Sequence, residues 1–236
     1  SAEASIFEKR IPLFEVFGED SLFALISINI DQPIRTYTLS VVATTDATTE
    51  TLSADISVAS GEFIQQDVFL VENTEELLDP SIEEDELTQI FTLADPHTER
   101  RLWDEKGFNP PIEGELTSPF GAVRVFNGLY ETLHTGWDYR APMGQPMLAS
   151  ASGEVAFAGH LPIRGNYVLI NHGAGVYSGY AHLSVTHVTQ GQTVKTGQII
   201  GQVGNTGRSS SAHAHVEFIV NDNWVDSTDL ILMYIP

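Results

Sequence analysis

Cysteine is absent from the 236-residue chain, which excludes disulfide scaffolds, thiolate zinc sites and cysteine nucleophiles. Positive charge is scarce. Eleven Lys and Arg stand against 32 Asp and Glu, a formal net charge of −21. A chain of that sign is poorly suited to neutralise nucleic-acid phosphates or to dock on anionic lipid, so neither partner is expected. Long hydrophobic runs are missing too. The longest apolar-rich stretch, Leu22–Ile30, is far too short to cross a bilayer. No signal-peptide pattern is visible, and a chain that begins at Ser1 is expected to be a trimmed form of a longer precursor. What is present is enough apolar material for a packed core, 42% of the residues.

The charge is unevenly spread. Residues 1–110 hold 23 acidic and 6 basic side chains, whereas residues 111–236 hold 9 and 5. Histidine runs the other way, with His97 alone in the first part and seven in the second. These contrasts, with the chain break at Asn109-Pro110-Pro111, predict two domains, 1–110 and 111–236. In the first, the alternating segments Leu22–Ile30, Arg35–Thr44, Thr51–Ala59 and Glu62–Glu72 predict strands of a small sandwich. Ser81 and Glu84 have the spacing of a capping box and predict a helix over 81–92, and a second short helix is expected over 95–106. In the second part short apolar segments recur between Gly turns: Gly153–Ala158, Tyr167–Asn171, Val176–Ala181, Ile199–Val203 and Ala214–Val220. The fold class expected is therefore an all-β, mainly antiparallel domain preceded by a smaller β-rich domain with one or two short helices.

Three constellations carry possible chemistry. His134 and Asp138 form an H-x-x-x-D in which Gly136 disfavours a helix, so an extended segment is expected. Imidazole and carboxylate are ordinary zinc ligands, but a His and an Asp four apart also occur by chance. His213 and His215 are two apart and share one face of a strand, as ligands or as a solvent-facing pair. His182 stands in Tyr-Ala-His-Leu, where a single half-buried histidine would be unremarked. Taken together, two nitrogen ligands and one oxygen ligand leave a position for water, the composition of a catalytic zinc site, with two more imidazoles left for proton handling. Glu217 is taken to point away from His215 and to serve a structural role.

The ordered motifs HTGWD, GYAHL, GQTVKTGQIIGQVGNTG and HAHVEF, with Ser118-Pro119-Phe120-Gly121 ahead of them, resemble the lysostaphin-type, or LytM-type, zinc endopeptidases. The likeness covers roughly 119–226. It implies one zinc ion held by His134, Asp138 and His215, with His182 and His213 as the catalytic pair. His160, His172 and His187 match no functional position. Ser211-Ala212-His213-Ala214-His215 lacks the family's Gly-Pro turn and its larger Leu and Phe, which alters the cleft wall but keeps the ligands. The Gly-punctuated stretch around Lys195 is also similar to biotinyl and lipoyl carrier hairpins, but Lys195 lies within the run between Val194 and Thr196. The resemblance implies an endopeptidase acting on bacterial peptidoglycan cross-links or stem peptides outside the cytoplasmic membrane, whether periplasmic, envelope-anchored or secreted. The alternative within the family is a non-catalytic regulator that activates a wall amidase, and such members have usually lost zinc ligands. Residues 1–110 are open to three readings: a module that engages the wall or a divisome-type protein, a cover over the cleft, or a spacer.

Overall fold

The computed structural model describes residues 2–15, 20–70, 75–95, 100–104 and 107–232. Strands of the second part form one large sheet. Its order in space is Thr193–Val194, Gly153–Leu161, Gly165–Gly173, Val176–Leu183, Ala214–Val220, Gly136–Tyr139 and Leu116–Ser118. Asn223–Val225 folds back as a hairpin on Ala214–Val220. Alternation along the strands explains why the central ones are apolar throughout. On the 214–220 strand, Ala214, Val216, Phe218 and Val220 enter the larger core beside Tyr139, Val168 and Tyr180. Ile219, on the other face, joins Tyr167, Leu169, Tyr177 and Ala181. A strand buried on both faces cannot show polar alternation.

The first part supplies an antiparallel sheet in the order Lys9–Ile11, Ala2–Ile6, Thr36–Thr44 and Thr49–Ser57, and a pair between Phe14–Glu15 and Leu22–Phe23. This replaces the expected sandwich. Thr49–Ser57 is an almost wholly exposed edge strand, and its Glu50 and Asp55 discourage further pairing. Gln65–Val68 pairs in parallel with Val123–Phe126 of the second part, and every other strand pairing among the described residues is antiparallel. The architecture is thus all-β and mainly antiparallel with few helices, as expected.

Three local expectations need correction. Only Leu22–Phe23 of the 22–30 segment is a strand, because the remainder reaches toward the second part, where Leu25 O and Ser27 Oγ accept from Asn221 and Asn223. The helix, α1 (Pro80–Leu93), is capped by Asp79, whose carboxylate accepts from the Ser81 backbone at 3.0 Å. Pro80 prefers the first helical position and so moves the cap to the residue before it. In the expected second helix, residues 100–104 are not helical, while 96–99 and 105–106 lie outside the described residues. Among the described residues no helix is long and apolar enough to cross a membrane.

His172 shows how the core treats an unassigned histidine. It is fully buried, with Nδ1 2.9 Å from the Ser152 carbonyl and Nε2 2.7 Å from Ser178 Oγ. Burial pushes it down to about 4 from an ordinary 6.5. The unfolded chain takes up a proton below about 6.5 that the folded protein refuses until about 4, so stability falls as pH falls through that window, by about 1.4 kcal/mol per unit. Urea unfolding of His172→Gln between pH 6.5 and 4.5 is expected to decline less steeply than that of the parent by about this slope. Equal slopes would mean that the folded state protonates His172.

Candidate metal centre

His134 leads directly into the 136–139 strand, where Trp137 and Tyr139 face the core and Asp138 faces the other side. The expected extended segment is therefore a strand. Asp138 pairs across the sheet with His215, and directly paired residues project from the same face. The result is a tight triangle. His134 Nε2 lies 2.9 Å from His215 Nδ1 and 3.1 Å from Asp138 Oδ1, and His215 Nδ1 lies 3.0 Å from the same oxygen. All three side chains are buried.

The outer nitrogens decide what this triangle is for. His134 Nδ1 is 2.8 Å from the Pro119 carbonyl, and His215 Nε2 is 3.2 Å from Glu217 Oε2. Each acceptor fixes an N–H on that side of its ring, which turns the lone pairs of His134 Nε2 and His215 Nδ1 toward each other. Two lone pairs and a carboxylate oxygen in contact repel unless positive charge lies between them. Two imidazole nitrogens and one oxygen fit a zinc ion, and the carboxylate and carbonyl behind the imidazoles are the usual support.

The charges agree. Burial pushes His134 down to about 4, so it stays neutral and able to ligate. Burial would raise Asp138, but its neighbours, His134 and Arg124 foremost, outweigh it and hold the carboxyl well below the usual range. Arg124 grips the Asp138 Oδ2 that faces away from the triangle. His215 is opposed by burial but raised by its bonds to Asp138 and Glu217, so in the absence of a metal it is the place where a proton would sit.

His182 and His213 stand beside the triangle, their ring centroids 4.9 Å apart. Alternation would turn His182 away from the site, since its neighbour Ala181 is the residue paired with His215. A left-handed backbone at His182, φ 58°, breaks the alternation and brings the ring back. Its Nδ1 lies 2.8 Å from the Thr206 carbonyl. Burial, His213 and His215 hold it well below the ordinary imidazole value. His213 Nδ1 lies 2.8 Å from the Ser211 carbonyl, while its buried Nε2, 3.5 Å from Asp138 Oδ1, has no hydrogen-bond partner among the described residues. The five residues singled out in the sequence thus come together in one place. His160, His172 and His187 do not line the hollows beside them.

Glu217 corrects an expectation. Two positions apart on one strand means the same face, so Glu217 sits directly behind His215. It is completely buried and is met by Arg164 Nε at 2.6 Å, Arg164 Nη2 at 2.9 Å and the Tyr167 hydroxyl at 2.7 Å. Burial would raise its carboxyl, and Arg164 and His215 bring it well below the ordinary range. Its neighbours across the sheet on both sides are glycines, Gly136 and Gly179. A Cβ at Gly136 would overlap the Val216 carbonyl oxygen, and one at Gly179 would overlap the Tyr167 hydroxyl. These glycines make room for the donors that surround Glu217.

The first part of the chain reaches this same place. Glu83, Glu86 and Ile90 form the buried face of α1. Glu86 accepts from Arg164 Nη1 at 2.9 Å and from the Ile163 backbone at 2.6 Å. Glu83 accepts from Arg208 at 2.7 Å. Sequence reasoning missed Arg124, Arg164, Arg208 and both glutamates. The available signal was scarcity, because Arg124, Arg164 and Arg208 are three of only five basic residues in 111–236. Two hollows flank the cluster. One of about 40 Å³ is walled by Glu83, His134, His182 and His215, and the other, about 470 Å³, by Gln66–Phe69, Ser209–Ser211 and His213.

Replacing Glu217 by Gln leaves His215 with a weaker acceptor and Arg164 with one buried carboxylate fewer. Zinc affinity, read by competition with a chromophoric chelator, is expected to fall about 10–100-fold. Unchanged affinity would remove Glu217 from the support of the site.

Comparison with known proteins agrees with this geometry. The model of peptidase family M23 matches residues 132–227. The DD-carboxypeptidase/endopeptidase Mpg of Neisseria meningitidis is 43% identical over 136 residues, 56% of this chain and 31% of that protein. The peptidoglycan DD-endopeptidase ShyA of Vibrio cholerae is 43% identical over 94 residues, 40% of this chain and 22% of that one. The chain thus spans under a third of the length of these relatives. A crystal structure from Pseudomonas aeruginosa, described as a peptidase M23, superposes with a TM-score of 0.68 at 25% identity, covering 98% of this chain and 87% of that one. With the HxxxD and HxH pairs meeting at one point, residues 132–227 form a domain of peptidase family M23.

Proposed function

We propose that this chain is a zinc-dependent endopeptidase that hydrolyses peptide bonds in the cross-links or stem peptides of bacterial peptidoglycan. The observation that carries the reading is the convergence of two imidazole lone pairs and a carboxylate oxygen at 2.9–3.1 Å, beside a His213 Nε2 that has no hydrogen-bond partner among the described residues. The names of the Neisseria and Vibrio relatives support the substrate class. In this reading His134, Asp138 and His215 hold one zinc ion, and His182 and His213 are catalytic. Its place of action is outside the cytoplasmic membrane of a bacterium, in the periplasm, at the envelope or after secretion. Residues 1–110 are the surface for a further partner of the wall or of the division machinery.

A bound zinc ion supplies a Lewis acid that makes water nucleophilic near neutral pH and polarises a carbonyl oxygen. The protein supplies the rest. His182 and His213 both hold Nδ1–H on a backbone carbonyl, so Nε2 is the working atom of each. His182, kept neutral by burial, accepts a hydrogen bond and orients the attacking water. His213 takes up the proton that the water loses and returns it to the leaving amine. Arg124 holds the far oxygen of Asp138, so that the carboxylate cannot rotate away from the triangle.

Digestion of purified peptidoglycan with the zinc-loaded protein should release peptides with new amino termini, identified by mass spectrometry, and a chelator should stop it. His215→Ala is expected to lose stoichiometric zinc together with activity. His182→Ala is expected to keep zinc and lose turnover by about 10²–10⁴-fold. Full zinc in the first variant, or full turnover in the second, would contradict the assignment.

A further inference from the structure

Of the two hollows that flank the metal centre, one has room for a peptide. The smaller measures about 40 Å³, room for about one water. The larger measures about 470 Å³, within the range of ligand clefts. Asp138 and His213 stand on its wall together with Gln66, Asp67, Val68 and Phe69. One side of this hollow is therefore the Gln65–Val68 strand, which comes from the first part of the chain.

That strand has an open edge. It pairs in parallel with Val123–Phe126 on one side, and among the described residues no strand pairs with the other. The ladder shows which groups the open side carries. The Ile64 and Val68 carbonyls accept from the Val123 and Asn127 N–H groups. Successive residues of a strand turn their N–H and C=O to opposite edges, so Gln66 faces the ladder with Ile64 and Val68, while Gln65 and Asp67 present theirs at the open edge. Such an edge is a template for another extended backbone. Asp67 is exposed, and alternation puts its side chain on the face opposite to Gln66 and Val68.

The edge is also fixed in place relative to the metal ligands. Gln66 Oε1 accepts from the Ser118 hydroxyl at 2.6 Å, and Ser118 Oγ accepts from Arg124 Nη2 at 2.9 Å. The same Arg124 nitrogen grips Asp138. Three hydrogen bonds thus connect a side chain of the strand to the carboxylate of the triangle.

We propose that the open edge of the Gln65–Val68 strand, at Asp67, binds the main chain of the substrate peptide in extended form and leads the scissile bond to the metal centre. The inference rests on the endopeptidase reading and gives the first part of the chain a share in the substrate cleft. Strand addition draws affinity from main-chain hydrogen bonds and leaves side-chain preference to the surrounding pockets.

The test uses the full zinc-loaded chain and a purified cross-linked stem peptide. In His182→Ala, which is expected to hold zinc without turnover, the peptide should slow hydrogen exchange of the Asp67 amide by about tenfold or more, read by NMR. In the otherwise unaltered protein, Asp67→Pro removes the edge donor and is expected to raise KM about three- to tenfold with kcat nearly unchanged. Asp67→Ala keeps the N–H, and its KM should stay within about twofold of the parent's. An Asp67 amide whose exchange the peptide leaves unchanged, or an equal KM in Asp67→Pro and Asp67→Ala, would overturn the proposal. Protection that grows with protein concentration in the absence of peptide would assign the edge to a second copy of the chain and overturn it too. Slowed exchange at Asp67 without cleavage by the parent would instead overturn the endopeptidase reading and leave the peptide-binding edge standing.

Discussion

The rest of the site depends on one forced approach, in which two bare imidazole nitrogens and a carboxylate oxygen are held within 3.1 Å of each other in a buried place. Such a contact is unfavourable without a cation, and the fold supplies the opposing restraint. Strand register pairs Asp138 with His215, the Pro119 carbonyl and Glu217 fix which nitrogen of each ring is bare, and Arg124 stops Asp138 from turning out. Removing the metal does not relax these restraints. The bonds from His215 to Asp138 and Glu217 raise its affinity for a proton, so proton and metal compete for the site.

Support for the site extends beyond the catalytic sheet. Glu86 on α1 binds Arg164, Arg164 binds Glu217, and Glu217 binds His215. A helix from the acidic first part is therefore linked to a metal ligand through alternating charges, each buried and each paired. Breaking one member of such a chain strands a buried charge, which is far more damaging than losing a surface ion pair. The net charge of −21 is thus distributed with purpose near the cleft, where scarce arginines are spent on carboxylates that hold side chains in place.

Much of this was legible in the sequence. Alternation located the 35–44 and 51–59 segments, observed as strands over 36–44 and 49–57, and a short apolar run among Gly turns located the 214–220 strand. The spacings of His134 with Asp138 and of His213 with His215 located the chemistry because strand geometry converts spacing into a shared face. Glu217 obeys the same period and its direction was misjudged, although Gly136 and Gly179 on either side of it signal a crowded position. The contribution of α1 was not legible, since Glu83 and Glu86 meet partners 125 and 78 residues away and look in sequence like a solvated acidic face. The left-handed turn at His182 was hidden as well, because no local residue preference requires it.

X-ray absorption at the zinc edge of the metal-loaded protein tests the central claim most directly. The account predicts one ion per chain, with two imidazole nitrogens and the remaining ligands oxygen, at about 2.0–2.2 Å. An ion surrounded by three or four imidazoles, or a protein that takes up no stoichiometric zinc, would contradict it.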